Sequence, residues 1–304
     1  MRRLFFCLIL VSFAASALPA DTIFPYKYQE TALDNGLKII LIPMKNEGLV
    51  SYFTVVSVGS RNEVEAGKSG FAHFFEHMMF RGTKKYPAKR YDEILQEIGA
   101  DRNAFTGDDF TCYYMHFPGR FLEKVIDLES DRFMDLSYEV PAFQTEAKAV
   151  LGEYNKNLAN PFFQLEEKLN DTAFTKSTYK HTTMGFLKDI QDMPNQYEYS
   201  INFFSRFYRP ENCTIIVTGS FNPEEAISLI KKYYSAWKRG NYETANPEEP
   251  EQSEEKRAQV DYQGDTLPIL AIAYKAPAFS PESKDFAALK IGRASCRERV
   301  YDLV

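Results

Sequence analysis

The chain has 304 residues, 44% of them hydrophobic and 26% charged, with a formal net charge of −6. That length allows one large domain or two ordinary ones, and the composition is that of a globular chain with a real core. The acidic balance and the lack of a basic arm remove any electrostatic reason to expect nucleic acid as a partner.

Residues 1–20, MRRLFFCLILVSFAASALPA, begin with Arg2 and Arg3, continue as an apolar run from Leu4 to Leu18, and offer Ala17 or Ala20 as the last residue before cleavage. This is the pattern of a secretory signal peptide, too short and too serine-interrupted for a spanning helix, and it predicts an exported, periplasmic or secreted protein. No other stretch has the apolar length for stable membrane insertion.

Residues 21–238 read as one domain. GLKIILIPM and VSYFTVVSVGS are β-branched-rich strands separated by the turn-prone Lys45–Gly48, close enough to form a hairpin. Ser69 is placed to cap a helix that runs through GFAHFFEHMMF and stops at Arg81–Gly82, and AKRYDEILQEIG is a second helix ending at Gly99. NAFTGDDFTCYYMHF, aromatic and threonine-rich, reads as one or two strands. Apolar residues recur at helical spacing from Phe121 to Leu136, and a long helix follows from about Pro141 to Leu158. After a less regular stretch near KSTYKHTTMGF come a helix around Gln196–Tyr208 and a short buried strand, TIIVTGS. NPEEAISLIKKYYSAW then has Asn222 at the cap, Pro223 in the first turn and Glu225 as capping-box partner. Strands and helices interleave, which predicts an α+β fold with a mixed, largely antiparallel sheet packed with helices.

Residues 239–258, rich in proline and glutamate and without large aliphatic side chains, read as a solvated acidic linker. Residues 259–290 resume with strand-like LPILAIAYKAP and a capped helix start, SPESKDFAALK, and are expected to begin a second, homologous domain. IGRASCRERVYDLV, residues 291–304, has no amphipathic period, and its first ten residues resemble a reading frame of a DNA-sequencing adapter. The tail is therefore expected to be non-native and the natural chain to continue in its place. Of four cysteines, Cys7 falls in the leader and Cys296 in the tail, and whether Cys112 and Cys213 pair is open.

Two of only four histidines, His73 and His77, stand four apart in GFAHFFEHMMFRGT. On a helix they share a face, so their imidazoles converge as a divalent ion requires, with Glu76 beside them on the same flank. Two readings fit these residues taken alone: a zinc pair, or two hydrogen-bonded core histidines among phenylalanines.

HxxEH is an inverted zinc motif, and the chain resembles the pitrilysin–insulinase family of metallopeptidases, processing peptidases included. That resemblance implies a third ligand on a later helix, and TEAKAVLGEYNKN supplies Glu153, 76 residues after His77, with Glu146 two turns earlier. GADRNAFTGDDFTCYY resembles the family's active-site edge strand through Asn103, Ala104, Phe105 and Thr106, while YKHTTMGF and YRPENCTIIVTGSFNPEE match further stretches. His116 and His181 read as structural. The resemblance implies one Zn2+ per chain on His73, His77 and Glu153, Glu76 as general base, Glu146 in support, and a peptide laid along residues 103–106. It also implies a second homologous half or partner subunit, so the 304 residues alone are expected to bind zinc yet hydrolyse peptides poorly. The alternative is a non-catalytic peptide-binding or assembly subunit of the same fold.

Overall fold

The computed structural model describes residues 24–45, 47–276, 280, 282–285 and 288. The expected signal peptide (1–20), the expected non-native tail (291–304) and part of SPESKDFAALK lie outside the described residues.

Six strands form one open sheet: β1 (Gln29–Ala32), β2 (Lys38–Pro43), β3 (Leu49–Val56), β4 (Asp101–Thr106), β5 (Thr111–Pro118) and β6 (Cys213–Gly219), in the spatial order β1-β2-β6-β3-β5-β4. Only β2 and β6 run parallel, so the sheet is mixed and largely antiparallel, within an α+β fold. The hairpin expected between β2 and β3 does not form, because β6 lies between them. β6 alternates buried Ile215 and Val217 with half-buried Ile216, and a strand apolar on both faces is worth most at the centre of a sheet. The tight hairpin is instead β4 to β5. Cys112 on β5 and Cys213 on β6 are buried and unpaired.

Eight α-helices are assigned among the described residues: α1 (Phe71–Met78), α2 (Ala88–Ile98), α3 (Leu122–Asp135), α4 (Val140–Asn157), α5 (Pro161–Ala173), α6 (Leu187–Asp192), α7 (Tyr197–Phe207) and α8 (Pro223–Tyr234). Gly99 ends α2 at φ 66°, a left-handed conformation that glycine adopts without penalty. Asn222 caps α8 by accepting from the Glu225 N–H at 2.9 Å. Ser69 is not the cap of α1. Its hydroxyl donates to Asp189 Oδ2 at 2.7 Å and accepts from the Phe186 N–H at 2.8 Å, and Gly70 takes the cap position instead.

The phenylalanines between the two histidines fasten α1 to its neighbours. Phe75 is fully buried, stacked on Phe203 with ring centroids 5.4 Å apart and 6° between planes, and in further ring contact with Phe204 and Tyr208. Phe74 meets Phe143 of α4 at 5.1 Å and Phe71 meets Tyr199 of α7 at 4.7 Å. With that side of α1 committed to the core, His73, Glu76 and His77 are turned toward β4 and α4. Phe75→Ala should cost about 3–5 kcal/mol of stability, read from the denaturant midpoint at unchanged slope.

No strand is assigned to residues 267–276, the described part of strand-like LPILAIAYKAP, and Leu267, Leu270, Ile272 and Tyr274 are exposed. A strand needs a sheet edge to complete its hydrogen bonds, and none among the described residues meets it. The acidic linker is tethered more than its composition predicts. The Glu249 carboxylate accepts from the N–H groups of Thr175, Lys176 and Ser177, each at 2.8 Å, and from Lys275 Nζ at 3.0 Å. Partial burial raises the carboxyl's pKa, but the amides and Lys275 outweigh it and hold the group down at about 2. No helix among the described residues is long and apolar enough to cross a membrane.

Candidate metal centre

The helical spacing sets the His73 and His77 rings side by side, centroids 4.9 Å apart and nearly perpendicular. α4 packs against α1 and brings Glu153 to them. Nε2 of His73 and Nε2 of His77 lie 3.6 and 3.3 Å from Glu153 Oε2, and one donor atom from each of the three residues falls within 4.8 Å of the others. Donors at about 2.0–2.1 Å around a tetrahedral zinc stand roughly 3.3–3.5 Å apart, so the two histidine–carboxylate separations are of the size zinc would need, and two imidazoles with one carboxylate are a donor set it accepts. Side-chain exposure rises from 9% at His73 through 26% at His77 to 41% at Glu153, so the cluster opens to solvent on the Glu153 side. Burial, and next the neighbouring His77, push the His73 imidazole below its ordinary pKa against the pull of Glu153. The ring is therefore neutral at pH 7, with a lone pair to give.

Glu76 stands apart from the donor cluster, and its Oε2 accepts from Thr106 Oγ1 at 2.6 Å. Burial raises the Glu76 carboxyl above the usual glutamate range, more than the Thr106 hydroxyl and His77 lower it. Glu146 is buried behind the histidines, with Oε2 3.6 Å from His77 Nδ1 and Oε1 paired with Arg81. Arg81 lies just past the end of α1, and the turn there brings its guanidinium back to Glu146.

The four edge-strand residues divide. Phe105 and Thr106 line a cleft of about 450 Å³ together with His73, Glu76 and Glu153. Ala104 is buried further along β4, and Asn103 folds back so that its Oδ1 accepts from the Ala104 N–H at 2.9 Å. Among the described residues β4 pairs only with β5, and no described strand pairs with its other edge. The opposite cleft wall is α5, through Phe162, Phe163 and Glu166, an element the sequence analysis passed over. Its signal was Asn160–Pro161: the asparagine side chain accepts from the Phe162 N–H at 3.0 Å and proline fills the first helical position. His116 bonds Ser51 Oγ at 2.8 Å and His181 donates to the Thr182 carbonyl at 2.9 Å, and neither belongs to the donor cluster.

Residues 39–186 match the model of the insulinase peptidase family M16, and residues 196–290 match that of the M16 inactive domain. The chain is 32% identical over 287 residues to the zinc protease PqqE of Helicobacter pylori, an alignment covering 92% of this chain and 63% of that protein. A crystal structure of a protease from Helicobacter pylori superposes with a TM-score of 0.69 at 31% identity, covering 74% of this chain and 55% of that one. The first half of the periplasmic protease PqqL from Escherichia coli superposes with a TM-score of 0.63 at 26% identity, covering 74% and 50%. The chain thus spans less than two thirds of the curated relative and about half of each solved chain.

Proposed function

The chain belongs to the insulinase family of M16 peptidases, and from that premise we propose that it carries the metal centre of a zinc-dependent endopeptidase acting on peptides or unfolded polypeptide segments. One zinc ion is held by His73, His77 and Glu153. The observation that carries the reading is the convergence of those three donors, Glu153 Oε2 lying 3.6 and 3.3 Å from the two imidazole nitrogens and all three within 4.8 Å of one another, with the Glu76 carboxylate beside them.

When bound, zinc supplies a Lewis acid that acidifies water and polarises a peptide carbonyl. The chain's own groups do the rest. Glu76, anchored through Oε2 by Thr106, takes a proton from water on its other carboxylate oxygen and delivers it to the departing amine nitrogen. A carboxyl raised by burial suits a group that must first accept and then donate. Glu146, held between Arg81 and His77 Nδ1, fixes the orientation of that imidazole from behind. The open edge of β4 takes the substrate as an added strand, with Phe105 and Thr106 bordering the scissile bond.

Complete activity draws on a second homologous half or partner subunit, consistent with relatives longer than this chain. The leader text and the periplasmic relative support an exported protein, periplasmic or secreted. A non-catalytic role predicts loss of a ligand or of the base, and His73, Glu76, His77, Glu146 and Glu153 are all present. Elemental analysis after dialysis should find one zinc per chain, removed by a strong chelator and restored by added zinc. A folded chain that retains none overturns the proposal.

A further inference from the structure

The start of α1 holds a carboxylate that the mechanism does not use. Glu63 is 3% exposed, its Oε2 accepts from the Gly70 N–H at 2.6 Å, and its Oε1 accepts from the Ala72 N–H at 2.7 Å. α1 has no cap of its own, since Gly70 has no side chain and the first turn contains no acid. A helix start leaves its first amides without internal partners, and here one buried carboxylate takes the two that flank Phe71. Burial pushes the Glu63 carboxyl's pKa up, and the Ala72 and Gly70 amides, one on each oxygen, oppose it by favouring the ionised form. The basic group closest to it is His181, with Nε2 at 3.8 Å. A carboxylate at this depth is costly unless donors hold it, so its use lies in the amides it grips.

The residue before Gly70 is fastened as well. Asp189 Oδ2 accepts from the Ser69 N–H at 3.3 Å and from its hydroxyl at 2.7 Å. A Cβ on Gly185 would stand 2.7 Å from the Gly70 nitrogen, so the 181–190 segment lies directly on this turn. Gly70 itself sits at φ 89°, where a side chain would be strained. His73 follows Ala72 immediately and His77 lies one turn on, so the seat of this turn sets where both imidazoles point. Metal donors must be held within about 0.5 Å of their working positions.

We propose that Glu63 is a positioning residue for the metal centre: by gripping the amides of Gly70 and Ala72 it fixes the height and rotation of α1, and with them the His73 and His77 rings. The inference rests on the zinc reading above. Loss of a group hydrogen-bonded to a ligand costs about 10–100-fold in metal affinity, and loss of this brace, which acts through the backbone of α1, should be of that order.

The test compares wild type with Glu63→Gln, which keeps the volume and turns an NH2 toward one of the two amides. Zinc affinity is measured by competition with a chromophoric chelator, and geometry by the visible absorption of the Co2+-loaded protein. Glu63→Gln should bind zinc about 10–100-fold more weakly and shift the cobalt bands at a temperature where both proteins are folded. Equal affinity and identical bands overturn the role of Glu63 while leaving the zinc reading intact, whereas a wild type that binds no metal removes that reading and the inference with it. Should the variant fail to fold, hydrogen exchange at Gly70 and Ala72 of the wild type decides. Protection already present in the metal-free protein supports the brace, and exchange at loop rates until zinc is added overturns it.

Discussion

Glu153→Gln should abolish tight zinc binding while leaving the metal-free fold as stable as before. Glu153 contributes the only charged donor of the three, and a neutral amide in its place removes the anion that offsets the dication. The loss should exceed the roughly 10–100-fold typical of outer partners, because a direct ligand is removed. The side chain is 41% exposed on α4, and its ion-pair partners among the described residues are the two histidines. Its replacement therefore leaves no buried charge, and stability should change by no more than about 0.5 kcal/mol. Glu146→Gln is the instructive contrast: it neutralises a buried carboxylate paired with Arg81, so the fold itself should weaken along with the metal site. Chelator competition and denaturant titration on the two variants separate the roles. Undiminished zinc affinity in Glu153→Gln, with loss in Glu146→Gln, would make the buried glutamate the third ligand.

What could be read beforehand followed the range of the interaction. The convergence of His73 and His77 is a property of one helix, so four-residue spacing and two apolar neighbours were enough to see it. Glu153 is different. Nothing within TEAKAVLGEYNKN marks it over Glu146, since both lie on one helix face, and only a family resemblance chose between them before the packing of α4 on α1 separated an exposed carboxylate from a buried one. β6 shows the same limit, as its insertion between β2 and β3 is decided by which strand gains most from burial on both faces. Glu63 left no trace in the pattern because its partners are backbone amides, which every residue carries. α5 is legible from its Asn160–Pro161 cap, whereas Arg81 lies past the end of α1 and only the folded turn brings it to Glu146. The misplaced strand at 267–276 marks where local propensity is insufficient, because β-branched and aromatic residues there have no edge to join.

Glu76→Gln should retain zinc with affinity changed by no more than a few-fold, yet lower peptide turnover by about 10²–10⁴-fold. The amide keeps the shape of the side chain, and its oxygen can still accept from Thr106 Oγ1, so neither the cleft nor the seat of α1 has reason to move. What it loses is the capacity to take a proton. The measurement is cleavage of a quenched fluorogenic peptide, in a preparation whose wild type is active and chelator-sensitive, with metal content determined on the same samples. The pairing of the two readouts gives the experiment its force. Turnover lost together with zinc would make Glu76 a ligand, contrary to its place outside the donor cluster. Turnover unchanged with zinc retained would move the base elsewhere, and Glu146 is poorly suited to that task because it is buried and already paired with Arg81. Only zinc retained with turnover lost matches a carboxylate that lines the cleft beside the donor cluster, is held by Thr106, and carries a proton from water to the leaving nitrogen.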